Sequence, residues 1–159
     1  MRLSQRLAHS AIVIALYVVI TALNPASSGL IQVRLSTGLY ALAAFRPDLI
    51  PALALGNSLA NLLVGQGPLD AALGLVVGLL TSVAAWLVGK TGKTWLVPLP
   101  IALVVPPVVS TWLSLLLHVP YKVTLLYLLV GQSIAAVTAG ALVTYVGVRL
   151  FGPPGRRSP

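Results

Sequence analysis

The 159-residue sequence is 58% hydrophobic and only 8% charged, and its ten Lys and Arg against two Asp and Glu give a formal net charge of +8. A soluble domain of this length could not hide so much apolar surface, and the charge-free runs 71–89, 94–117 and 123–148 each reach the roughly 18 apolar residues that cross a hydrocarbon core. The basic residues lie between and beyond these runs instead of along one face, which excludes a nucleic-acid surface, and the absence of cysteine excludes disulfides and thiolate metal sites.

In chain order, Arg2 and Arg6 precede an apolar stretch, 7–23, that outruns a signal-peptide core. The following Asn24-Pro25-Ala26-Ser27-Ser28-Gly29 is a poor cleavage site, so this stretch is expected to remain as helix one. Ala8, Ala11, Ala15 and Ala22 recur at spacings of three, four and seven, and Ala11 with Ala15 forms the small-xxx-small unit that lets helices approach closely. That stripe fits either contact within the chain or contact with a partner. Helix two, 34–45, and helix three, 49–64, are short and are divided by Arg46-Pro47-Asp48, a proline flanked by two charges that a single span would not hold. Helix four follows at 69–88, helix five at 95–117 and helix six at 122–150. Pro98, Pro100, Pro106 and Pro107 predict that helix five is kinked or partly unwound, with its freed carbonyls facing protein or a cavity. The fold expected is all-α: one six-helix transmembrane domain over 1–150 and a disordered cytoplasmic tail over 151–159.

The distribution of cations supports six spans. With the N-terminus inside, Arg2, Arg6, Arg46, Lys90, Lys93, Arg149, Arg156 and Arg157 are cytoplasmic, and Arg34 and Lys122 face out. Merging helices two and three would export Lys90, Lys93 and the whole basic tail. Both termini are therefore expected on the cytoplasmic side of a multi-pass membrane protein.

Polar residues are costly at membrane depth, and here they collect toward the outer half: Asn24, Gln32 and Arg34 near the first external loop, Asn61, Gln66 and Asp70 near the second, His118, Tyr121 and Lys122 near the third. Asn57 and Asn61, four apart, share one face of helix three and suit either a ligand or an interhelical bond. Asp70 either contacts a ligand or offsets the dipole of helix four. Gln132 lies ten residues past Lys122, roughly 15 Å along helix six, deep enough to demand a specific partner. Arg34 can clamp a ligand or snorkel to headgroups. Trp112 and Tyr127 are candidates to stack on a planar ligand, whereas Tyr17, Trp95 and Tyr121 read as interfacial aromatics. No catalytic triad, metal-binding helix motif or phosphate loop is present, so neither an enzyme, nor a resident cofactor or metal, nor self-powered transport is expected.

Leu23-Asn24-Pro25, Ile31-Gln32-Val33-Arg34-Leu35-Ser36, the run 51–56 followed by Ala60-Asn61-Leu62, and Gly67-Pro68-Leu69-Asp70 with Gly74 resemble the substrate-binding S-components of energy-coupling factor (ECF) transporters, in particular the QueT type associated with queuosine precursors. The resemblance implies a six-helix subunit of the bacterial plasma membrane that captures a small solute from outside, beneath the loop joining helices one and two, and docks on a transmembrane scaffold (T-component) driven by two cytosolic ATPase subunits. Ala11 and Ala15 are the implied docking residues. Gln32, Arg34, Asn57, Asn61, Asp70, Trp112, Tyr127 and Gln132 are the expected substrate contacts, and a 7-deazaguanine base or a related vitamin-like heterocycle is the expected ligand. Two departures stand out: the resembled pattern carries Glu where this chain has Thr37, and Glu where it has Gln132. A structural membrane subunit without a ligand and a stand-alone small permease are the competing readings, the latter disfavoured by the lack of inverted repeats.

Overall fold

The computed structural model describes residues 2–65 and 67–155. Gln66, Arg156 and Arg157, invoked above for the outer loop and the basic tail, lie outside the described residues. Among the described residues all regular structure is helical: α1 (Leu3–Leu23), a 3₁₀ helix (Leu35–Ala44), a single 3₁₀ turn (Pro47–Leu49), α2 (Ile50–Val64), α3 (Pro68–Lys90), a second 3₁₀ turn (Thr94–Leu96), α4 (Leu99–Leu103), α5 (Val105–Leu116), α6 (Tyr121–Ala135), a π-helical turn (Ala136–Gly140) and α7 (Ala141–Phe151). Five of the segments so formed are long and apolar enough to cross a membrane, and Leu35–Ala44 is a sixth, shorter apolar helix.

The structure of Leu35–Ala44, the second pass in chain order, explains why helix two looks short in the sequence. It is a 3₁₀ helix of ten residues, which at about 2.0 Å per residue extends about 20 Å, against about 15 Å for the same residues in an α-helix. It is also thinner. Eight of its residues are buried, and it touches α1, α2, α3, α4, α6, the π turn and α7. The sequence permits this central position because Ser36, Gly38, Ala41, Ala43 and Ala44 are small. At Gly38 a Cβ would fall 2.6 Å from the Ala139 Cβ and 2.8 Å from the Gly140 nitrogen, so the overwound helix nests directly on the underwound π turn.

The prolines divide the fifth pass as expected. Pro106 and Pro107 have no N–H to give the carbonyls four residues back, and α4 gives way to α5 at Val104, whose own N–H still reaches Pro100 O at 2.8 Å. The sixth pass is continuous from Tyr121 to Phe151 through the π turn. Its end is set by Gly152, at a φ of 77°. Residues 152–155 then turn back against α3, so that a Cβ at Gly155 would fall 3.1 Å from the Gly89 and Lys90 carbonyl oxygens.

The two ends of the bundle differ in charge. Ala44 abuts Gly89, the Phe45 and Phe151 rings lie 6.3 Å apart, and Arg6 is near enough to Asp48 to interact with it electrostatically. Arg6, Arg46, Lys90 and Arg149 are thereby placed together at one end. The flanks are apolar: Leu7, Ile12, Leu16 and Val19 of α1, Leu79, Leu80, Val83 and Leu87 of α3, and Leu126, Val130, Val137 and Leu142 of the last pass are all exposed, as lipid-facing surface requires. Ala8, Ala11, Ala15 and Ala22 are exposed too, so the alanine stripe is not a contact within the chain.

Candidate functional site

Arg34 immediately precedes the 3₁₀ helix and is buried. A buried guanidinium needs acceptors for its rigid fork of donors. It finds three oxygens, none of them a carboxylate: Nε donates to Ser27 O at 3.0 Å, and Nη1 donates to Asn57 Oδ1 at 3.0 Å and to Asn61 Oδ1 at 2.6 Å. Both amides are fixed from their other ends. Asn57 Nδ2 donates to Gly74 O at 2.7 Å, and Asn61 Nδ2 donates to Asp70 O at 3.1 Å. Helix periodicity set these two amides on one face of α2, and Gly74 lets α3 approach them: a Cβ there would fall 2.5 Å from Asn61 Nδ2.

Behind this shelf, the Tyr17 hydroxyl lies 2.9 Å from the Tyr40 hydroxyl and 3.2 Å from Asn57 Oδ1. Asn57 Oδ1 can only accept, so both contacts are hydrogen bonds when Tyr40 donates to Tyr17 and Tyr17 donates to Asn57. Tyr17 is fully buried, which corrects its expected place at the membrane interface: α1 turns the Val13, Tyr17, Thr21 stripe inward. Trp95 and Tyr121 are exposed, as interfacial aromatics would be.

On the opposite wall Trp112 Nε1 donates to Asp70 Oδ1 at 2.9 Å, linking α5 to the first turn of α3. Gln132, fully buried on α6, closes the third side. Its Nε2 donates to Gln32 O at 3.2 Å, and its Oε1 lies 3.0 Å from the Thr37 hydroxyl. That hydroxyl is also 2.6 Å from Arg34 O, and its one hydrogen serves one acceptor at a time. The chain between α1 and the 3₁₀ helix is drawn onto α6 by this contact. It is further shaped by Asn24, whose Nδ2 donates to Val33 O at 2.6 Å and whose Oδ1 accepts from Ala26 N at 3.0 Å.

Gln32, Arg34, Asn57, Asn61, Asp70, Trp112 and Gln132 therefore line one cavity of about 20 Å³, room for about one water. Tyr127 does not: it is exposed on α6, because Thr124, Leu128, Gly131 and Gln132 occupy the inward face. Thr37, Tyr40, Gly74, Val77, Val105 and Val109 complete the lining. Tyr40 was legible in principle. Arg34, Thr37 and Tyr40 recur every three residues, the period that stacks side chains along one edge of a 3₁₀ helix. An α-helical reading spreads them apart. Thr37 and Gln132, singled out together in the sequence, are in contact.

A helical bundle of six passes, apolar on its flanks and enclosing a polar cavity toward its cation-poor end, defines a multi-pass α-helical membrane protein. The model of the QueT transporter family matches residues 7–147, and the chain belongs to that family. No curated protein and no solved structure matches it.

Proposed function

We propose that this chain is the substrate-binding S-component of an ECF-type importer, and that the cavity between Arg34, Asp70 and Gln132 is where a small solute is captured. The observation that carries the reading is the convergence of nine polar or aromatic side chains, from six separate segments, on one buried point of an otherwise apolar bundle. Charge asymmetry supports an orientation with the basic end and both termini in the cytoplasm and the cavity toward the outside. One domain spans 1–150, followed by a short cytoplasmic tail. The residues following Asn24 are the natural lid, since they are tied down by only a few bonds, notably those from Arg34 to Ser27 O and from Gln132 to Gln32 O. A heterocycle needs far more than 20 Å³, and release of this segment would supply it.

Arg34 with the amides of Asn57 and Asn61 offers donors to a carbonyl or ring nitrogen, and Asp70 offers an acceptor opposite. Such a set suits a planar heterocycle of the 7-deazaguanine kind, a queuosine precursor, with Trp112 as a flat wall. The contact between Thr37 and Gln132 sets a neutral pair where the resembled pattern carries two carboxylates, which favours a related neutral ligand over a cationic one. Transport would be driven by a scaffold subunit and two cytosolic ATPases, with Ala11 and Ala15 on the exposed face of α1 meeting the scaffold.

The test is mass spectrometry of the small molecule that copurifies with the chain, paired with thermal shift against 7-deazaguanine bases and vitamins. A retained heterocycle that raises the melting temperature supports the reading. No retained molecule and no shift with any of them would favour a purely structural subunit, and robust uptake by this chain alone in liposomes would show a stand-alone permease.

A further inference from the structure

At the basic end a groove of about 510 Å³ opens between the end of the 3₁₀ helix, the end of α3 and residues 151–155. Phe45 and Phe151 form its apolar side, and Trp86 and Lys90, one helical turn apart, its polar side. The Lys90 ammonium sits 3.8 Å from the centroid of the Trp86 ring.

The charge balance of this end is lopsided. The chain has two acidic side chains. Asp70 is at the far end of α3, in the cavity described above. Asp48 is engaged by Arg46 in a two-pronged pair, Nε to Oδ1 at 2.8 Å and Nη2 to Oδ2 at 2.7 Å. No acidic side chain of the protein is left for Lys90, Lys93 or Arg149. Lys90 and Arg149 instead lie over aromatic rings, Trp86 and Tyr145, an attraction to the ring quadrupole that supplies no formal counter-charge. Arg156 and Arg157 follow the groove's last lining residue, Gly155, in the sequence.

We propose that this groove binds an anionic phospholipid, its phosphate against the Lys90 ammonium and its glycerol and upper acyl chains against Phe45 and Phe151. The end of a membrane-spanning bundle stands at headgroup level, and a basic groove between helices at that depth matches a ligand that is anionic at one end and apolar at the other. A soluble anion would use Lys90 and leave the two Phe rings uncovered; an uncharged lipid would cover the rings and leave the cation without a counter-charge.

The experiment uses the full chain in nanodiscs of phosphatidylcholine, with and without phosphatidylglycerol, and native mass spectrometry of the lipids retained on release. Wild type should retain phosphatidylglycerol in excess over phosphatidylcholine and melt at a higher temperature when it is present. Lys90→Met keeps an unbranched stem over Trp86 and removes the charge, and should lower the retained excess about fivefold, the loss expected for one cation at an anionic surface. Lys90→Arg should keep it, and Lys122→Met, at the opposite end, should leave it unchanged. Equal retention of the two lipids by wild type, or equal losses in Lys90→Met and Lys122→Met, would overturn the proposal. So would an equal rise in melting temperature on adding inorganic phosphate to phosphatidylcholine discs, which would mark a soluble-anion site. If Lys90→Met kept its lipid and lost a copurifying protein, the groove would belong to that protein and the lipid assignment would fail.

Discussion

The seating on α6 of the loop between α1 and the 3₁₀ helix depends on one hydrogen atom, the second α-hydrogen of Gly131. Replacing it with a methyl group, Gly131→Ala, would put a Cβ in overlap with Gln32 O and 2.7 Å from Gln32 C. Ordinary contact begins near 3.4 Å, so the loop backbone must retreat by at least 0.7 Å (3.4 − 2.7). The Gln132 Nε2 to Gln32 O bond is 3.2 Å long, and the same retreat along its axis would break it. Overpacking in a filled interior costs about 1–3 kcal/mol, and a buried amide deprived of its partner costs about 1–3 kcal/mol more. Because the loop can yield in part, a net loss of about 2 kcal/mol is expected, which lowers the melting temperature of a chain this size by about 4–8 °C. If the solute is bound beneath the seated loop, its affinity should fall about thirtyfold for the same free energy. Scanning fluorimetry in detergent reads the first effect, and titration with the ligand found by mass spectrometry reads the second. Ser133→Ala, exposed on the same helix, is the control. A Gly131→Ala protein that melts and binds like wild type would refute the seating of the loop.

Trp112→Phe keeps the ring and deletes the donor to Asp70; ligand affinity should fall about tenfold, the worth of one charge-assisted bond, whereas Tyr127→Ala, off the cavity, should leave binding unchanged in the same titration. Gly38→Ala drives a methyl into Ala139 and the Gly140 backbone and should destabilise the fold by about 2 kcal/mol or more, read as a lower melting temperature and reduced membrane yield. Ala11→Leu with Ala15→Leu alters only exposed positions of α1; the isolated chain should melt and bind ligand as before, while recovery of a scaffold and ATPases in pull-downs falls sharply. Equal loss of ligand binding in that double variant would count against a docking role.

Much of this molecule is legible in one dimension because the bilayer imposes strong, local rules. Length of apolar run fixed which segments cross, and the cost of burying Arg46-Pro47-Asp48 fixed where the second crossing turns back. The scarcity of polar residues in such a chain made Arg34, Asn57, Asn61, Asp70 and Gln132 conspicuous. What failed to show was anything that depends on the type of helix or on its rotation. Tyr127 is exposed and Tyr17 buried, each against expectation, because an apolar helix carries little amphipathic signal to say which face turns inward. Tyr40 went unnoticed because its alignment with Arg34 and Thr37 exists only at three residues per turn. That helix type is selected by surroundings: a thin strand of small residues must reach across the bundle between seven neighbouring segments, and no pattern within the ten residues themselves encodes the need. The sequence alone determined that the chain spans the membrane, how many times, and which end carries the cations. Tertiary structure alone decided that Thr37 meets Gln132, that Trp112 serves Asp70, and that the alanine stripe of α1 is left uncovered, since each is a contact between residues, or a gap between helices, that chain order does not bring together.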